Sequence, residues 1–426
     1  MKKRNYKILA SFLAVSMLFT TFGAATVNAK EKTTQPSIIT EATLQEGTGW
    51  QESVTFPKKS VDDTLAMNSM CSFENYKGQG LLYLTPSEGT ESFKLFVNNT
   101  EIDTKAITSG KSWQVDISAY TVNGTNTIQV SNVKPAGSTV DVKIPYPTVI
   151  QGTPESVGID PAVFDVISDI VQSDVDNGFP GAQMAVIKDG QLIYQNAWGT
   201  VNAYNPDGTP NTASAAVTND TLYDLASNTK MYSVNYALQY LVSEGYVNLD
   251  TKIVDLVGSD FVTKTIDITY NGYDNPGLEQ NKAWKSELTI RDILRHQAGF
   301  PADPQYHNDA FNQQTQKAEQ GVANVLFSGN DGSKATRQAT LEAICKTPLM
   351  YEPGTKTVYS DVDYMLLGFI IESITGRDLD VFLDEIFWTP MGLDSLTYNP
   401  LLHGVAAENC AATELNGNTR DGAISF

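Results

Sequence analysis

Four residues near the middle of the chain, Ser227-Asn228-Thr229-Lys230, have the types and the spacing for nucleophilic chemistry. A serine hydroxyl is a weak nucleophile until a neighbouring group accepts its proton. On a helix, a lysine three residues later lies on the same face, within reach of that hydroxyl. A helix start adds partial positive charge, which favours an oxyanion and lowers the pKa of a desolvated lysine. Lys230 is therefore predicted to act as the base at neutral pH.

The chain contains a second Ser-x-x-Lys, Ser131 to Lys134, in a different context. It ends a β pattern and is followed by Pro135, so no helix is expected to bring its serine and lysine together. Behind Ser227 the apolar residues recur at helical spacing: Met231, Val234, Leu238 and Leu241. The helical pattern predicts that Ser227 starts a helix. Local pattern alone leaves two interpretations open, a nucleophile or an ordinary helix N-cap.

The elements that would position this serine form an α/β pattern. A helix is predicted after Asp160, with Val163, Ile167 and Val171 facing inward, and it should stop at Gly178. Residues 181–199 predict two strands joined by a tight turn at Asp189-Gly190. A further strand at 221–226 should lead into the Ser227 helix, and residues 250–385 have mainly helical patterns. These elements predict a sheet with an inserted helical subdomain.

Residues 45–146 have a different pattern, that of an all-β domain. Short alternating segments are separated by turn residues, as at Asn98-Asn99 and Asn123-Gly124. Their even spacing predicts a jelly-roll-like β-sandwich, a candidate carbohydrate-binding module. Trp113 and Tyr120 are candidate residues for stacking on a cell-wall glycan, and buried aromatics of the sandwich are the alternative.

The first 29 residues have the features of a signal peptide. A basic start precedes a long apolar run, and small residues around Ala29 offer a cleavage site. Residues 30–44 are predicted to be a polar linker. The protein is therefore expected to be exported, either secreted or in the cell envelope, with an uncleaved membrane anchor as the alternative. The net charge of -20 argues against nucleic acid as a partner.

Cysteine and histidine usage predicts no metal site and no cofactor. The three cysteines (Cys71, Cys345 and Cys410) are scattered, and no spacing matches a set of metal ligands. Buried thiols are the expected interpretation. The three histidines are equally far apart in the sequence, so a zinc centre is not predicted.

Three segments taken together resemble the serine β-lactamase and penicillin-binding protein family, in its class C, carboxypeptidase and esterase branch. They are LASNTK at 225–230, LTIRDILRHQAGFP at 288–301 and GTKTVYSDVDYMLLGFIIESITGRDLDVFL at 354–383. The resemblance covers about residues 150–426. Ser227 and Lys230 match the family's Ser-x-x-Lys, and Tyr359-Ser360-Asp361 matches its Tyr-x-Asn element. Three landmarks in the family's order favour the nucleophile over the N-cap.

The resemblance implies roles for individual residues. Ser227 would attack a carbonyl and become acylated, while its backbone N–H would help to hold the oxyanion. Lys230 and Tyr359 would share the proton transfers. Asp361 stands where the family more often has asparagine, in a substrate-binding position. A carboxylate cannot donate an amide hydrogen bond to a substrate carbonyl, so Asp361 is expected either to contact substrate differently or to pair with Lys230.

The activity implied by the resemblance is that of a D-alanyl-D-alanine carboxypeptidase. Its substrate would be peptidoglycan peptides, and β-lactams would acylate Ser227. Esterase and β-lactamase activities fit the same three residues, and an inert cell-envelope glycan-binding protein is the alternative from a different class. The family's third motif, Lys-Ser/Thr-Gly or His-x-Gly, does not follow Asp361; His403-Gly404 has its glycine one place early. The C-terminal strands of the sheet are therefore expected to be missing, with an exposed edge and weakened activity.

Two further sets of residues have weaker predictions. His296 ends the second landmark and is assigned a packing role. His307 and Asp303 are interpreted as solvated loop residues, with the mouth of a cleft as the alternative.

Overall fold

The computed structural model describes residues 39–42, 50–58, 70–205 and 207–413. The predicted signal peptide (1–29), the linker before Ile39 and the last 13 residues lie outside the described residues. None of the helices within these ranges has the length and apolar character needed to cross a membrane.

Strands dominate the N-terminal part of the described chain. In chain order they are β1 (Ile39–Glu41), β2 (Trp50–Phe56), β3 (Met70–Asn75), β4 (Leu81–Pro86), β5 (Ser92–Val97), β6 (Thr100–Ile102), β7 (Trp113–Asp116), β8 (Gly124–Lys134) and β9 (Val140–Pro145). They form one sheet in the order β1-β7-β4-β9-β2 and another in the order β3-β8-β5-β6, with antiparallel pairing throughout. Alternating residues of both sheets, including Leu82, Leu95 and Ile128, are fully buried in one shared core. The predicted β-rich region is confirmed.

Two local predictions in this region have different outcomes. The predicted break at Asn98-Asn99 is a tight turn between β5 and β6, and both residues have positive φ (46° and 64°), as a two-residue hairpin turn of this type requires. Within the segment predicted to be a linker (30–44), β1 (Ile39–Glu41) pairs with β7. The alternating pattern of β1 is too short to be recognised from the sequence.

The two candidate stacking aromatics make internal contacts. Trp113 is partly buried, and its indole N–H donates to the carbonyl of Thr108 at 2.9 Å. Tyr120 packs against the core shared by the two sheets. These are contacts of structural aromatics, the alternative that the sequence left open.

The C-terminal part of the described chain begins with a small sheet and one helix. The strands are β10 (Ile150–Gln151), β11 (Gly181–Lys188) and β12 (Gln191–Gly199), in the order β10-β12-β11. The predicted hairpin is confirmed, since β11 and β12 are antiparallel and join at Asp189-Gly190, where both φ angles are positive (52° and 73°). Within the described residues, β11 lies at one edge of this sheet.

Helix α1 (Ala162–Asp176) forms where it was predicted, and Ile167 and Val171 are partly buried, but the first turn differs from the prediction. Phe164 is 5% exposed and its ring stacks on Tyr194 of β12, with centroids 4.3 Å apart. Val163, predicted to face inward, is 49% exposed. The aromatic ring carries more apolar area than a valine side chain, so Phe164 takes the buried position in the first turn.

Helices are the main regular elements of the remaining described chain. They are α2 (Tyr236–Ser243), α3 (Ile253–Val257), α4 (Asp260–Thr263), α5 (Leu278–Glu287), α6 (Ile290–Leu294), α7 (Lys334–Lys346), α8 (Asp361–Thr375), α9 (Leu379–Leu383) and α10 (Thr389–Met391), with two short strands, β13 (Phe311–Asn312) and β14 (Lys317–Ala318), between α6 and α7. A second core joins them, and it includes Leu241, Ile290 and Ile370. The chain is thus an α/β region behind a β-rich region, each with its own core.

The turn at Asp189-Gly190 also contacts the β-rich region. Asn123 Nδ2 donates to Asp189 Oδ1 at 2.8 Å, and the ring of Tyr76 lies against Gly190. A Cβ at position 190 would lie 2.3 Å from Tyr76 Cγ. Glycine is therefore required here twice, for its positive φ and for this close approach.

Candidate active site

Ser227 lies where a helical segment begins. It belongs to a 3₁₀ turn (Ala226–Asn228) that leads into a π-helical turn (Lys230–Asn235) and then into α2. The predicted helix start is confirmed. The strand predicted for 221–226 is wrong, because the described chain has only a single bridge there, between Leu222 and Cys410. Ala226 instead has φ of 45°, a costly conformation for a residue with a Cβ, and it precedes an exposed serine.

The π-helical turn changes which apolar residues share a face. Val234, Leu238 and Leu241 are buried, as predicted, but Met231 is 53% exposed. A π-helical turn contains more residues than an α-helical one, so residues three apart no longer lie on one side. Such turns inside helices are frequent at functional sites.

The Ser227 hydroxyl contacts Lys230. Lys230 Nζ donates to Ser227 Oγ at 3.1 Å, so the predicted approach of the two side chains is realised. The helix start has no side-chain cap hydrogen bond. The N-cap interpretation of Ser227 is therefore not supported by its contacts.

Lys230 also pairs with Asp361, at the first turn of α8. The Nζ–Oδ1 distance is 2.7 Å, and the two side chains are 16% and 29% exposed. Partial burial lowers the pKa of Lys230, but hydrogen bonds and charge interactions with Asp361 and Tyr359 outweigh it, and the net pKa is raised. The net direction is opposite to the lowered pKa expected from desolvation, because the Asp361 carboxylate stabilises the charged form of Lys230. The pairing of Asp361 with Lys230, one of the two alternatives, is the one found.

Two aromatic rings face the same ammonium. Lys230 Nζ lies 4.7 Å from the ring centroid of Tyr359 and 6.0 Å from that of Tyr364. Tyr359 is 50% exposed, while the Tyr364 hydroxyl donates to Asn235 Oδ1 at 3.1 Å. A cation at this distance from a ring face is attracted to it. Ser227, Lys230, Tyr359 and Asp361, all predicted site residues, are therefore brought together.

The second sequence landmark supports the segment that carries Tyr359. Several hydrogen bonds join the two segments, among them Val358 N–H to His296 C=O (2.9 Å), Ser360 N–H to His296 Nδ1 (3.3 Å), Ser360 Oγ–H to Pro301 C=O (2.7 Å) and Asp361 N–H to Ala302 C=O (2.9 Å). These bonds lie on both sides of Tyr359 in the sequence. Residues 296–302 are thus a backbone template for Tyr359-Ser360-Asp361.

His296 has more contacts than its predicted packing role required. Its Nδ1 lies 2.7 Å from Asp363 Oδ2, and its ring contacts Tyr359 and Tyr364, with centroids 4.7 and 5.3 Å away. Asp363 is 1% exposed, and burial raises its pKa to about 6, an effect that His296 opposes. Sequence reasoning missed Asp363, Tyr364 and Asn235. The only available signal was the repeated acid-tyrosine pattern of SDVDY.

The surroundings of the site include a cavity but no cluster of metal ligands. A cavity of about 980 Å³ is lined by residues on either side of Ser227, among them Leu225 and Thr229, and by Trp388 and Tyr398. Across the described residues, no group of three or more His, Cys, Asp or Glu side chains could hold a metal ion. Cys71 and Cys345 are buried thiols, as predicted, and Cys410 is partly exposed. Asp303 accepts a hydrogen bond from the Gln305 N–H within its own loop.

Comparisons with known proteins agree with the three landmarks. A protein of Escherichia coli O157:H7 named "Putative D-alanyl-D-alanine carboxypeptidase" is 43% identical over 282 residues, 66% of this chain and 57% of that protein. A protein of the same name from Salmonella typhimurium is 44% identical over 285 residues, 66% of this chain and 58% of that protein. The chain therefore spans little more than half the length of these relatives.

Solved structures are more distant. A penicillin-binding protein homologue from Caulobacter crescentus is 22% identical, with a TM-score of 0.37, and the match covers 55% of this chain and 50% of that one. Sequence identity and structural similarity this low support no conclusion about function. The family model described as Beta-lactamase, in contrast, matches residues 166–419, more than half of the chain. This range contains Ser227, Lys230, Tyr359 and Asp361 in the arrangement described above. The predicted membership is confirmed, and the chain belongs to the β-lactamase family.

Proposed function

We propose that the chain carries the acylation site of a serine hydrolase, with Ser227 as the nucleophile. The observation that carries the proposal is the position of Lys230 Nζ, 3.1 Å from Ser227 Oγ and 2.7 Å from Asp361 Oδ1. A strained turn in front of the serine and its exposure to solvent further support this role. A structural serine would not need a charged, partly buried neighbour.

The proton path follows from the charge on Lys230. As an ammonium paired with Asp361, Lys230 donates to Ser227 Oγ and cannot accept its proton. The Tyr359 hydroxyl relays the proton: its oxygen accepts the Ser227 proton while its own O–H proton passes to the substrate nitrogen. Ser227 Oγ bonds to the substrate carbonyl carbon, Lys230 stabilises the negative charge, and the C–N bond breaks to release the amine. Water later attacks the ester by the reverse route, releasing the acid and restoring Ser227.

The proposed substrates are peptidoglycan peptides that end in D-Ala-D-Ala, with β-lactams as acylating analogues. Support comes from the names of the two relatives and from the family that they share with this chain. We assign Asp361 to the substrate side of the site, because its side chain remains partly exposed beside Lys230. A carboxylate there accepts hydrogen bonds and favours substrate groups that donate them.

The experiment is covalent labelling by penicillin. Protein expressed from the complete gene is incubated with the compound, and the modified peptide is located by mass spectrometry. We expect the mass of one penicillin on Ser227. A stable adduct on any other residue would overturn the proposal, and rapid turnover of penicillin would assign the activity to a β-lactamase.

Esterase activity is the second candidate, and Asp361 favours it. The position lacks the amide N–H that would hold the carbonyl of an amide side chain. An enzyme that hydrolyses simple esters through Ser227 and forms no penicillin adduct would establish this alternative. A protein that forms no penicillin adduct and hydrolyses neither penicillin nor simple esters would favour the inert glycan-binding alternative.

The remaining proposals concern location and architecture. We infer export through residues 1–29 with cleavage after Ala29, which N-terminal sequencing of exported protein would test. A start at Met1 would instead support a membrane anchor. We also propose that the two N-terminal sheets form a sandwich that binds cell-wall glycan, and that the helices behind Ser227 form an inserted subdomain. Binding of the protein to insoluble peptidoglycan tests the glycan role.

A further inference from the structure

Three observations around His296 point to a role beyond packing. The first is its backbone, which has φ of 53°, a conformation that few residues with a side chain adopt. The carbonyl of the same residue accepts the Val358 N–H at 2.9 Å. His296 is therefore held in an unusual conformation next to the residue that precedes Tyr359.

The second observation is the placement of its ring. The centroid of the imidazole is 4.7 Å from that of Tyr359, with the two planes tilted by 46°. Tyr359 is half exposed, and its ring contacts both the His296 imidazole and the Lys230 ammonium. The imidazole thus restricts where the Tyr359 ring can lie.

The third observation is what fixes the imidazole itself. His296 Nδ1 lies 2.7 Å from Asp363 Oδ2, and the Ser360 N–H donates to the same nitrogen at 3.3 Å; these two contacts set the orientation of the ring. Asp363 is buried, and its other carboxylate oxygen has no hydrogen-bond partner within the described residues. A buried carboxylate with an unused oxygen is costly. Packing alone does not explain why a carboxylate occupies this buried position.

We propose that His296, oriented by Asp363, is a positioning residue that holds Tyr359 against Lys230 for proton transfer. This inference rests on the proposed function of Ser227 and Tyr359. It assigns no proton transfer to His296. Its prediction is that the imidazole acts only through Tyr359.

The test uses His296→Asn in protein expressed from the complete gene. Asparagine tolerates positive φ, and its side-chain N–H can replace Nδ1–H as donor to Asp363, so the fold and the buried carboxylate are preserved while the ring is lost. We expect the first-order rate constant of penicillin acylation to fall by at least ~10-fold because Tyr359 is misplaced. The dissociation constant of the noncovalent complex should stay unchanged. His403→Asn, the same change at an exposed histidine, is the matched control and should leave both constants unchanged.

A double-mutant cycle separates positioning from a general structural effect. In a Tyr359→Phe background, His296→Asn should slow acylation no further, because the group through which it acts has already gone. Asp363→Asn, whose carbonyl can still accept from Nδ1–H, should retain most of the rate, whereas Asp363→Ala should behave like His296→Asn. Equal slowing by His296→Asn with and without the Tyr359 hydroxyl would overturn the proposal.

A readout without catalysis keeps the inference distinct from the proposed function. In protein with ¹³C-labelled tyrosine rings, the Tyr359 signals, identified by their loss in Tyr359→Phe, should shift or broaden in His296→Asn. If wild-type protein is not labelled by penicillin, the proposed function fails while this measurement still decides the positioning role. Unchanged Tyr359 signals would contradict it.

Discussion

The chain contains the same four-residue pattern twice, and the two copies behave differently. Ser131 and Lys134 lie in β8, near the end of a long strand. The register shifts between them, so that Ser131 lies opposite Lys94 and Lys134 opposite Ser92 of β5. An extended backbone rises about 3.3 Å per residue, so a separation of three residues places the two side chains farther apart on a strand than on a helix. Ser227 and Lys230 lie across the start of a helical segment, where the same separation gives a contact of 3.1 Å.

The difference shows that the Ser-x-x-Lys spacing brings the two side chains into contact only where the backbone is helical. The second distinction is the surroundings of each lysine. Lys134 is exposed, whereas Lys230 is partly buried between the Asp361 carboxylate and the Tyr359 ring. Lys230 of the helical copy therefore has a fixed charge and fixed neighbours. We expect substitutions in this copy to change acylation and the matched substitutions in the strand copy to leave it unchanged.

Removing the serine should have the largest effect. Ser227→Ala should abolish the penicillin adduct, because no other hydroxyl at the site is proposed to be acylated. Ser131→Ala is the matched change in the strand copy and should leave labelling unchanged. Mass spectrometry of the intact protein measures both, and a surviving adduct in Ser227→Ala would remove the distinction between the copies.

Removing the lysine comes next. Lys230→Ala should slow acylation by at least ~100-fold, since it deletes the charge that accompanies proton transfer. Lys134→Ala should have no effect on the rate. The measurement is the time course of labelling with a fluorescent penicillin; equal rates for the two variants would show that helical placement gives no advantage.

Changing the partner of Lys230 should have a smaller effect, of opposite sign. Asp361→Asn supplies an amide N–H to the substrate carbonyl and should speed penicillin acylation by about tenfold, the effect of one hydrogen bond. It also removes the carboxylate that raises the pKa of Lys230. If the ammonium is the active form, the alkaline fall in rate should move to lower pH. A profile identical to wild type would show that Asp361 does not control the charge of Lys230.

Core substitutions beside each copy should have the smallest effect on acylation. Val130→Ala and Val234→Ala each remove buried methyl groups and should lower the free energy of unfolding by about 2 kcal/mol. Only Val234→Ala should slow acylation, by roughly threefold, because it loosens the turn that carries Lys230. Chemical denaturation and labelling rates provide the two readouts. Slower labelling in Val130→Ala would mean that stability, not local geometry, limits the reaction.

Much of the local structure could be predicted because its cause is local. The turns at Asn98-Asn99 and Asp189-Gly190 form where positive φ is cheapest, and alternating residues identify the strands. The errors occur where packing overrides a pattern. Phe164 displaces Val163 from the inward face of α1, and the π-helical turn turns Met231 out to solvent. Neither difference can be predicted from the spacing of apolar residues in the sequence.

The sequence by itself determined the family and the four residues of the site, because three landmarks in order are specific and a helix places Ser227 and Lys230 together. Only the tertiary structure decided the charge of the lysine. Asp361 lies 131 residues from Lys230 along the chain, yet 2.7 Å away in space, and it reverses the pKa shift expected from burial. Likewise, only the fold brings His296 against Tyr359. Electrostatic interactions depend on distance in space and on burial, and periodicity in sequence carries neither.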